Sequence, residues 1–480
     1  MSLRLPAALF AMCLALFPKL SSAQKMVKLT HQPPNGALVE FLLTDGTLMV
    51  QSYSESTWYK LTPDNTGSYV NGTWSQLASL PAGYQPLYFA SAVLADGRLV
   101  IAGGEYNFDQ FAFTNQGAVY NPAGNYWTTL IPPKGWKWIG DSPSAVLPNG
   151  EFAVGQKFFK RVAALDPSTL KWTELQSKHK NDWNAEEGWT LLPTGHILTW
   201  DVKDNPQSEE YDPSSGKWKS LGSTGVNLQG PCTVCDCIQV PPKNWCYYSP
   251  GETGPGILRP DGTVYATGAL HSGQSAAHTA IYTPGSGWTA GPDFPNGDQA
   301  ADTAAALLPD GNVLVEGSGG SFYEFDGTNL TSENVGQVGP YTPLMTLPTG
   351  EVLVGGTEVY QSSGTYQAAW QPTISSFLST VTRGATYKIS GTQFNGLSQA
   401  AAFGDEVETA TNYPLVRITN ISTGHVFYAR THHHSTMAVA TGAATVSTHF
   451  DVPAGMETGA STLEVVANGI PSNPVSVTVQ

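Results

Sequence analysis

Leu307-Leu-Pro-Asp-Gly311-Asn-Val-Leu-Val-Glu-Gly317 sets two apolar stretches around an Asp-Gly pair. Such a pair between alternating apolar runs is a strong short-range signal for a β-hairpin, because the turn needs a positive φ that Gly and Asn tolerate. The same pattern recurs around Gly46, Gly97, Gly150, Gly195, Gly262 and Gly350, as in Leu42-Leu-Thr-Asp-Gly46-Thr-Leu-Met-Val50 and Val93-Leu-Ala-Asp-Gly97-Arg-Leu-Val-Ile101. Seven hairpins therefore follow one another at spacings of 51, 53, 45, 67, 49 and 39 residues. Repetition at a period of this size is the mark of a repeat architecture.

A Trp in an outer-strand setting follows most of these glycines after 20 to 30 residues: Trp74, Trp127, Trp172, Trp218, Trp288 and Trp370. The sixth unit has Phe322 and Tyr323 instead. A four-stranded unit of about 50 residues with a Gly-Gly after its second strand and a later aromatic resembles a kelch propeller blade. The longest spacing holds a cysteine-rich insertion at about residues 231–247. After Trp370 the pattern stops, and short alternating strands such as 385–389, 415–418, 426–429, 461–466 and 475–479 take over. The expected fold is all-β: a seven-bladed kelch-type β-propeller over residues 24–371, followed by an immunoglobulin-like, early-set β-sandwich over 372–480.

Composition agrees with radial closure. Charged residues make up 13% of the 480, against about 25% in an average globular chain. Blades paired and stacked on one another bury apolar residues without a charged coat, and 50 Gly and 34 Pro supply the turns. A formal charge of -15 with only 23 basic residues speaks against nucleic acid or an anionic membrane surface as partner.

The N-terminus carries Arg4, an apolar stretch from Leu5 to Phe17, and small residues up to Ala23, the order of a secretory signal over residues 1–23. The apolar stretch is shorter than the roughly 20 residues of a spanning helix, and no other segment could cross a bilayer. The mature chain is expected to be an acidic, secreted protein, extracellular or periplasmic, and a monomer. Its four cysteines, Cys232, Cys235, Cys237 and Cys246, favour two local disulfides in one of three pairings; the competing reading is a zinc or copper thiolate knot.

Nine residues before each repeat glycine, a strand of about six residues brings the chain back to the opposite rim of a propeller. Those positions are Ala37, Tyr88, Asp141, Glu186, Thr253, Asp302 and Tyr341, with Glu187 and Glu252 flanking two of them. Trp136, Trp138, Trp183, Trp189 and Trp245 stand close by in sequence. Carboxylates that accept hydroxyl hydrogen bonds, beside flat rings that stack on C–H faces, suit a carbohydrate or polyol ligand or a cell-surface polymer, and also a cation.

The seven glycine turns, together with the loop Arg430-Thr-His-His-His-Ser435, give the chain a resemblance to the galactose oxidase and glyoxal oxidase family over its whole mature length. That resemblance implies a copper-radical site, but the residues depart from it. Ala301 and Asp302 stand where the family carries a Tyr-His pair, Glu186 stands where its crosslinked cysteine might fall, and none of the seven rim positions is Cys. Copper-radical oxidase activity is therefore not expected.

The family's C-terminal histidine has a counterpart in the 432–434 loop, where His432 and His434 share one face of an extended segment. With Asp302 they form a candidate site for one divalent metal, joined in the wider reading by Glu186 or Asp141. Asp405 and Glu406 are a calcium-type suggestion. The favoured reading is ligand binding at an acidic and aromatic rim. The competing readings are a metal-dependent oxidase or hydrolase at the same rim, and a protein-interaction propeller with no small ligand.

Overall fold

The computed structural model describes residues 24–231, 238–240, 245–247, 251–404 and 409–480. The proposed signal segment, Cys232, Cys235, Cys237, Asp405 and Glu406 lie outside these residues. Cys246 and Trp245 fall in a short strand, Trp245–Tyr247, paired with Ile238–Val240.

Each of the seven repeat glycines stands between two antiparallel strands, as in Ala304–Leu307 with Val313–Glu316. All seven have φ between 73° and 90°. The turn itself differs from the two-residue type expected from Asp-Gly. In each repeat the Gly N–H donates to the carbonyl three residues earlier, as Gly46 does to Leu43, and Leu43 N–H donates to Thr47. Only the glycine is left-handed, so the loop is a type I turn closed by a glycine bulge. The Asp side chain caps it: Asp45 accepts from the backbone and hydroxyl of Thr47 at 3.0 and 2.6 Å.

Six of the sheets add a third and a fourth strand in order, as in Val39–Leu42, Leu48–Gln51, Trp58–Thr62 and Thr73–Gln76. The two innermost strands are buried at every position but Gly256, and the outermost is largely exposed. This gradient is what blades produce when their inner edges meet. The innermost strands of the second and third, fourth and fifth, fifth and sixth, sixth and seventh, and seventh and first units lie side by side. The described residues thus form a β-propeller.

The seventh sheet is built differently. Leu344–Thr346, Val352–Val354 and Glu358–Gln361 supply three strands, and the fourth is Lys25–Lys28, paired with Glu358–Gln361 from the other end of the chain. Trp370 is therefore not an outer-strand residue as expected. It lies in a short 3-10 turn, Ala368–Trp370, over Gly311.

The C-terminal section forms one continuous nine-stranded sheet rather than two separate ones. Val426–His432 is the corner. Its first half pairs with Leu415–Asn420 and its second half, Arg430 to His432, with Val446–Asp451, so a strand that bends partway along serves both faces. The section has its own core of Ile389, Val416, Ile418, Phe450, Leu463 and Val477. It also sends a strand, Ala401–Phe403, into the propeller, where it pairs with Ala304–Ala306 beside the innermost strands of the fifth and seventh units. Its small residues allow that fit. The Ala400 carbonyl accepts from Leu307 N–H at 2.6 Å and from Thr346 Oγ1 at 3.1 Å. No helix among the described residues is long and apolar enough to cross a membrane.

Candidate functional site

At the end of the propeller away from the glycine turns, four of the seven positions nine residues before a glycine hold non-glycine residues with positive φ: Tyr88 (51°), Glu186 (54°), Asp302 (50°) and Tyr341 (60°). A left-handed backbone is costly for such side chains and concentrates where geometry serves function. Successive positions are tied together. Thr253 Oγ1 donates to the Glu186 carbonyl at 3.0 Å, and Asp302 N–H donates to the Thr253 carbonyl at 3.1 Å.

The centre of this mouth is Lys157, a residue the repeat arithmetic does not single out. Its ammonium group bridges Asp141, at very short range, and Glu186 Oε1 at 2.6 Å, and it is 1% exposed. Gly140 makes room for it: with φ at +83°, a Cβ there would stand 2.8 Å from Lys157 Cβ. Phe113 and Phe158 flank the ammonium group at 5.9 and 5.6 Å from their ring centroids, a cation–π arrangement in a desolvated setting. One lysine serves several acids. Burial raises the Asp302 carboxyl to about 7, with Glu186 and Glu105 adding to the rise and Lys157 opposing it. Glu105 is raised by burial and by Glu186, and the Tyr341 phenol is raised by burial, Asp302 and Glu252.

Aromatic rings continue outward from the lysine. Tyr88, Tyr106, Phe111, Phe113, Phe158 and Trp183 follow one another at centroid separations of 6.0, 5.9, 5.0, 5.6 and 6.1 Å, all steeply inclined. Tyr88 is 42% exposed and Tyr341 50%, and both wall a cavity of about 490 Å³ with Tyr53 and Phe403, the last residue of the inserted strand.

Not every sequence candidate reaches the mouth. Trp138 lies just beneath it, donating to the Lys157 carbonyl at 3.2 Å, and Trp183 is covered by the Lys203 ammonium group at 3.8 Å. Trp136 is core, under the Arg161 guanidinium at 5.3 Å. Trp189 packs against Trp218 inside the fourth unit. Glu187 turns inward too, binding Lys180 at 2.9 Å in a fully buried network with Glu209. Glu186 and Glu187 part company at the left-handed backbone of Glu186 (φ 54°), which turns the chain before the strand begins at Thr190.

The histidine loop is placed elsewhere. His434 N–H donates to the Ala95 carbonyl, beside the Gly97 turn, and His434 Nδ1 bonds Thr448 at 2.9 Å. His432 pairs with Asp451 at 3.0 Å. Both histidines sit at the glycine-turn end, so the structure does not bring them to Asp302. Among the described residues no three His, Cys, Asp or Glu side chains are grouped to hold one metal ion.

The carboxyls carry a consequence for stability. Burial pushes Glu187, Asp201 and Glu316 up to about 8. A raised carboxyl is protonated in the folded state where the unfolded chain has already ionised, so stability falls as pH rises toward the folded value. Buried His434, lowered to about 3, works in the opposite sense only below about pH 6.5. The melting temperature is therefore expected to fall between about pH 6.5 and 8 in a calorimetric series. A rise across that window would contradict the assignment.

No family model matches the sequence, and no curated protein matches it. Solved structures with a similar chain path include a fungal alcohol oxidase of the AA5 family in complex with copper, at 14% identity and a TM-score of 0.48, covering 95% of this chain and 98% of that one. Virginiamycin B lyase from Staphylococcus aureus gives 11% identity and 0.46, over 70% of this chain and 97% of that one. YjhT gives 16% and 0.42, over 64% and 99%. Likenesses this distant assign no family and no activity.

Proposed function

We propose that the chain is an exported, seven-bladed kelch-type propeller with an immunoglobulin-like, early-set module, and that it binds a carbohydrate or polyol ligand at the mouth around Lys157. The observation that carries this reading is the aromatic run, exposed at Tyr88 and Phe111, beside the half-buried Asp302, with the buried Lys157, Asp141 and Glu186 cluster as the floor of the mouth, so that stacking surfaces and a hydroxyl partner lie close together. A glycan array with the full chain, followed by calorimetric titration of the best binder, tests it. Tyr88→Ala and Asp302→Asn are each expected to weaken binding on the order of tenfold, with the melting temperature little changed. An array with no binder, or affinity unmoved by both substitutions, overturns the reading.

One observation favours a second reading, a hydrolase at the same mouth. Asp302 keeps its proton near neutrality beside Glu186, which is how a general acid is prepared. Release of product from a glycoside substrate, abolished by Asp302→Asn, would distinguish it from binding alone.

A further inference from the structure

A small hairpin stands on the mouth and belongs to no blade. Tyr106–Asn107 pairs with Gln110–Phe111, and Pro86–Leu87 completes its sheet. The two residues of its tip, Phe108 and Asp109, both have positive φ, at 56° and 55°. That is the backbone signature of a type I′ turn, whose favoured residues are Asn and Gly. Phe at such a position is strained, and here it is also 47% exposed. A strained turn that holds an apolar ring in water gains nothing in the fold that Asn-Gly would not give better, so its use lies in contact with something else.

Exposed aromatics gather around this tip. Phe111 is on the hairpin itself, Tyr88 packs on Tyr106, and Tyr53 and Tyr341 stand across the adjoining cavity. The surrounding ionisable groups are acids, and a cation placed beside them favours their charged forms. Glu105 leads into the hairpin, and Asp109 at its tip faces Glu55, where burial and the Asp109 carboxyl push Glu55 up to about 7. Farther in, Lys157 is already engaged by Asp141 and Glu186. A strip of rings edged by carboxylates matches a ligand that offers apolar sugar faces and positive charge together.

We propose that this hairpin is the grip for a chain of amino sugars bearing free ammonium groups, laid along Tyr88, Phe108 and Phe111 toward the cavity of Tyr53 and Tyr341. The inference rests on the carbohydrate reading and sharpens it in two respects. The ligand is an oligomer rather than one sugar, because Tyr88, Tyr106 and Phe111 follow one another in centroid steps of 6.0 and 5.9 Å, with the cavity of Tyr53 and Tyr341 next to Tyr88, and it is cationic rather than neutral.

The test uses the full chain and three probes: a short glucosamine oligomer, the same oligomer fully N-acetylated, and glucosamine itself. Titration at about pH 7 keeps most of the amines protonated without neutralising Glu55, pushed up to about 7, as fully as a lower pH would. The free-amine oligomer is expected to bind on the order of tenfold tighter than the acetylated one, with the difference shrinking at high salt, and far tighter than the monomer. Phe108→Ala is expected to weaken it about tenfold. The double substitution Phe108→Asn with Asp109→Gly separates grip from scaffold: it relaxes the turn, so the melting temperature rises while binding is lost. Equal binding of the acetylated and free oligomers overturns the cationic proposal and leaves the carbohydrate reading standing. A relaxed turn that still binds overturns the role of the hairpin. Binding of neither oligomer, nor of any array glycan, removes both, and saturable binding of a divalent cation alone would assign the acids to a metal instead.

Discussion

Replacing Lys157 with methionine is expected to destabilise the protein by about 3–5 kcal/mol, the usual cost of removing one partner from a buried ion pair. Nearly all of that cost comes from what stays behind. Lys157 is 1% exposed and its carboxylate partners Asp141 and Glu186 are 4% and 7% exposed, so neither acid can turn to water for its lost charge. Adding Asp141→Asn and Glu186→Gln removes the stranded charges, and the triple variant is expected to recover most of the loss. Denaturant unfolding of the single and triple variants measures both. A loss below about 1 kcal/mol for Lys157→Met, in the range of an exposed pair, would show that the mouth is wetter than the structure shows it.

The second large effect lies in the strand lent by the C-terminal section. Ala401 is 1% exposed, paired with Ala306 on the innermost strand of the sixth unit. Ala401→Arg forces a long charged side chain into that buried space, and the expected loss is at least about 4 kcal/mol. The manner of unfolding is as informative as the size. The C-terminal section has a core of its own, so once the strand is expelled the propeller and the sheet are expected to melt separately, and the unaltered chain is expected to melt as one. Calorimetry that shows a single transition at the original temperature would mean that the inserted strand does not couple them.

Much of the propeller was legible because its signal is local. Asp-Gly, Asn-Gly or Thr-Gly between apolar pairs marks each inner hairpin within ten residues, and every such glycine took the left-handed backbone its turn requires. What was not legible depends on distant partners. Lys25–Lys28 reads as an unremarkable KMVK, yet it completes a sheet whose other strands end at Gln361. Ala401–Phe403 is a short apolar stretch in a section otherwise folded on itself, and only the space beside Ala304–Ala306 explains it.

The mouth shows the same division. The offset of nine residues from each glycine located Tyr88, Glu186, Asp302 and Tyr341, because strand length sets it. Lys157 and the 106–111 hairpin lie in insertions between strands, where no period applies. Their trace in the sequence is thin: one lysine before Phe158-Phe159, and a Glu105-Tyr-Asn-Phe-Asp run after Gly104. Trp136 and Trp189 misled for the opposite reason, since a large ring near a rim in sequence is as readily packed between blades.

The pairing of Lys25–Lys28 with Glu358–Gln361 also orders events in time. The first strand of the ring to be synthesised is the last whose partner exists, since residue 361 must emerge before residue 25 has a place to go. Between its own emergence and the docking of Lys25–Lys28, Glu358–Gln361 offers an open edge, the feature through which unfinished β-proteins recruit one another. The nascent chain thus spends most of its synthesis unable to seal itself, and the charged, exposed Lys25 and Lys28 keep the waiting strand soluble until it docks.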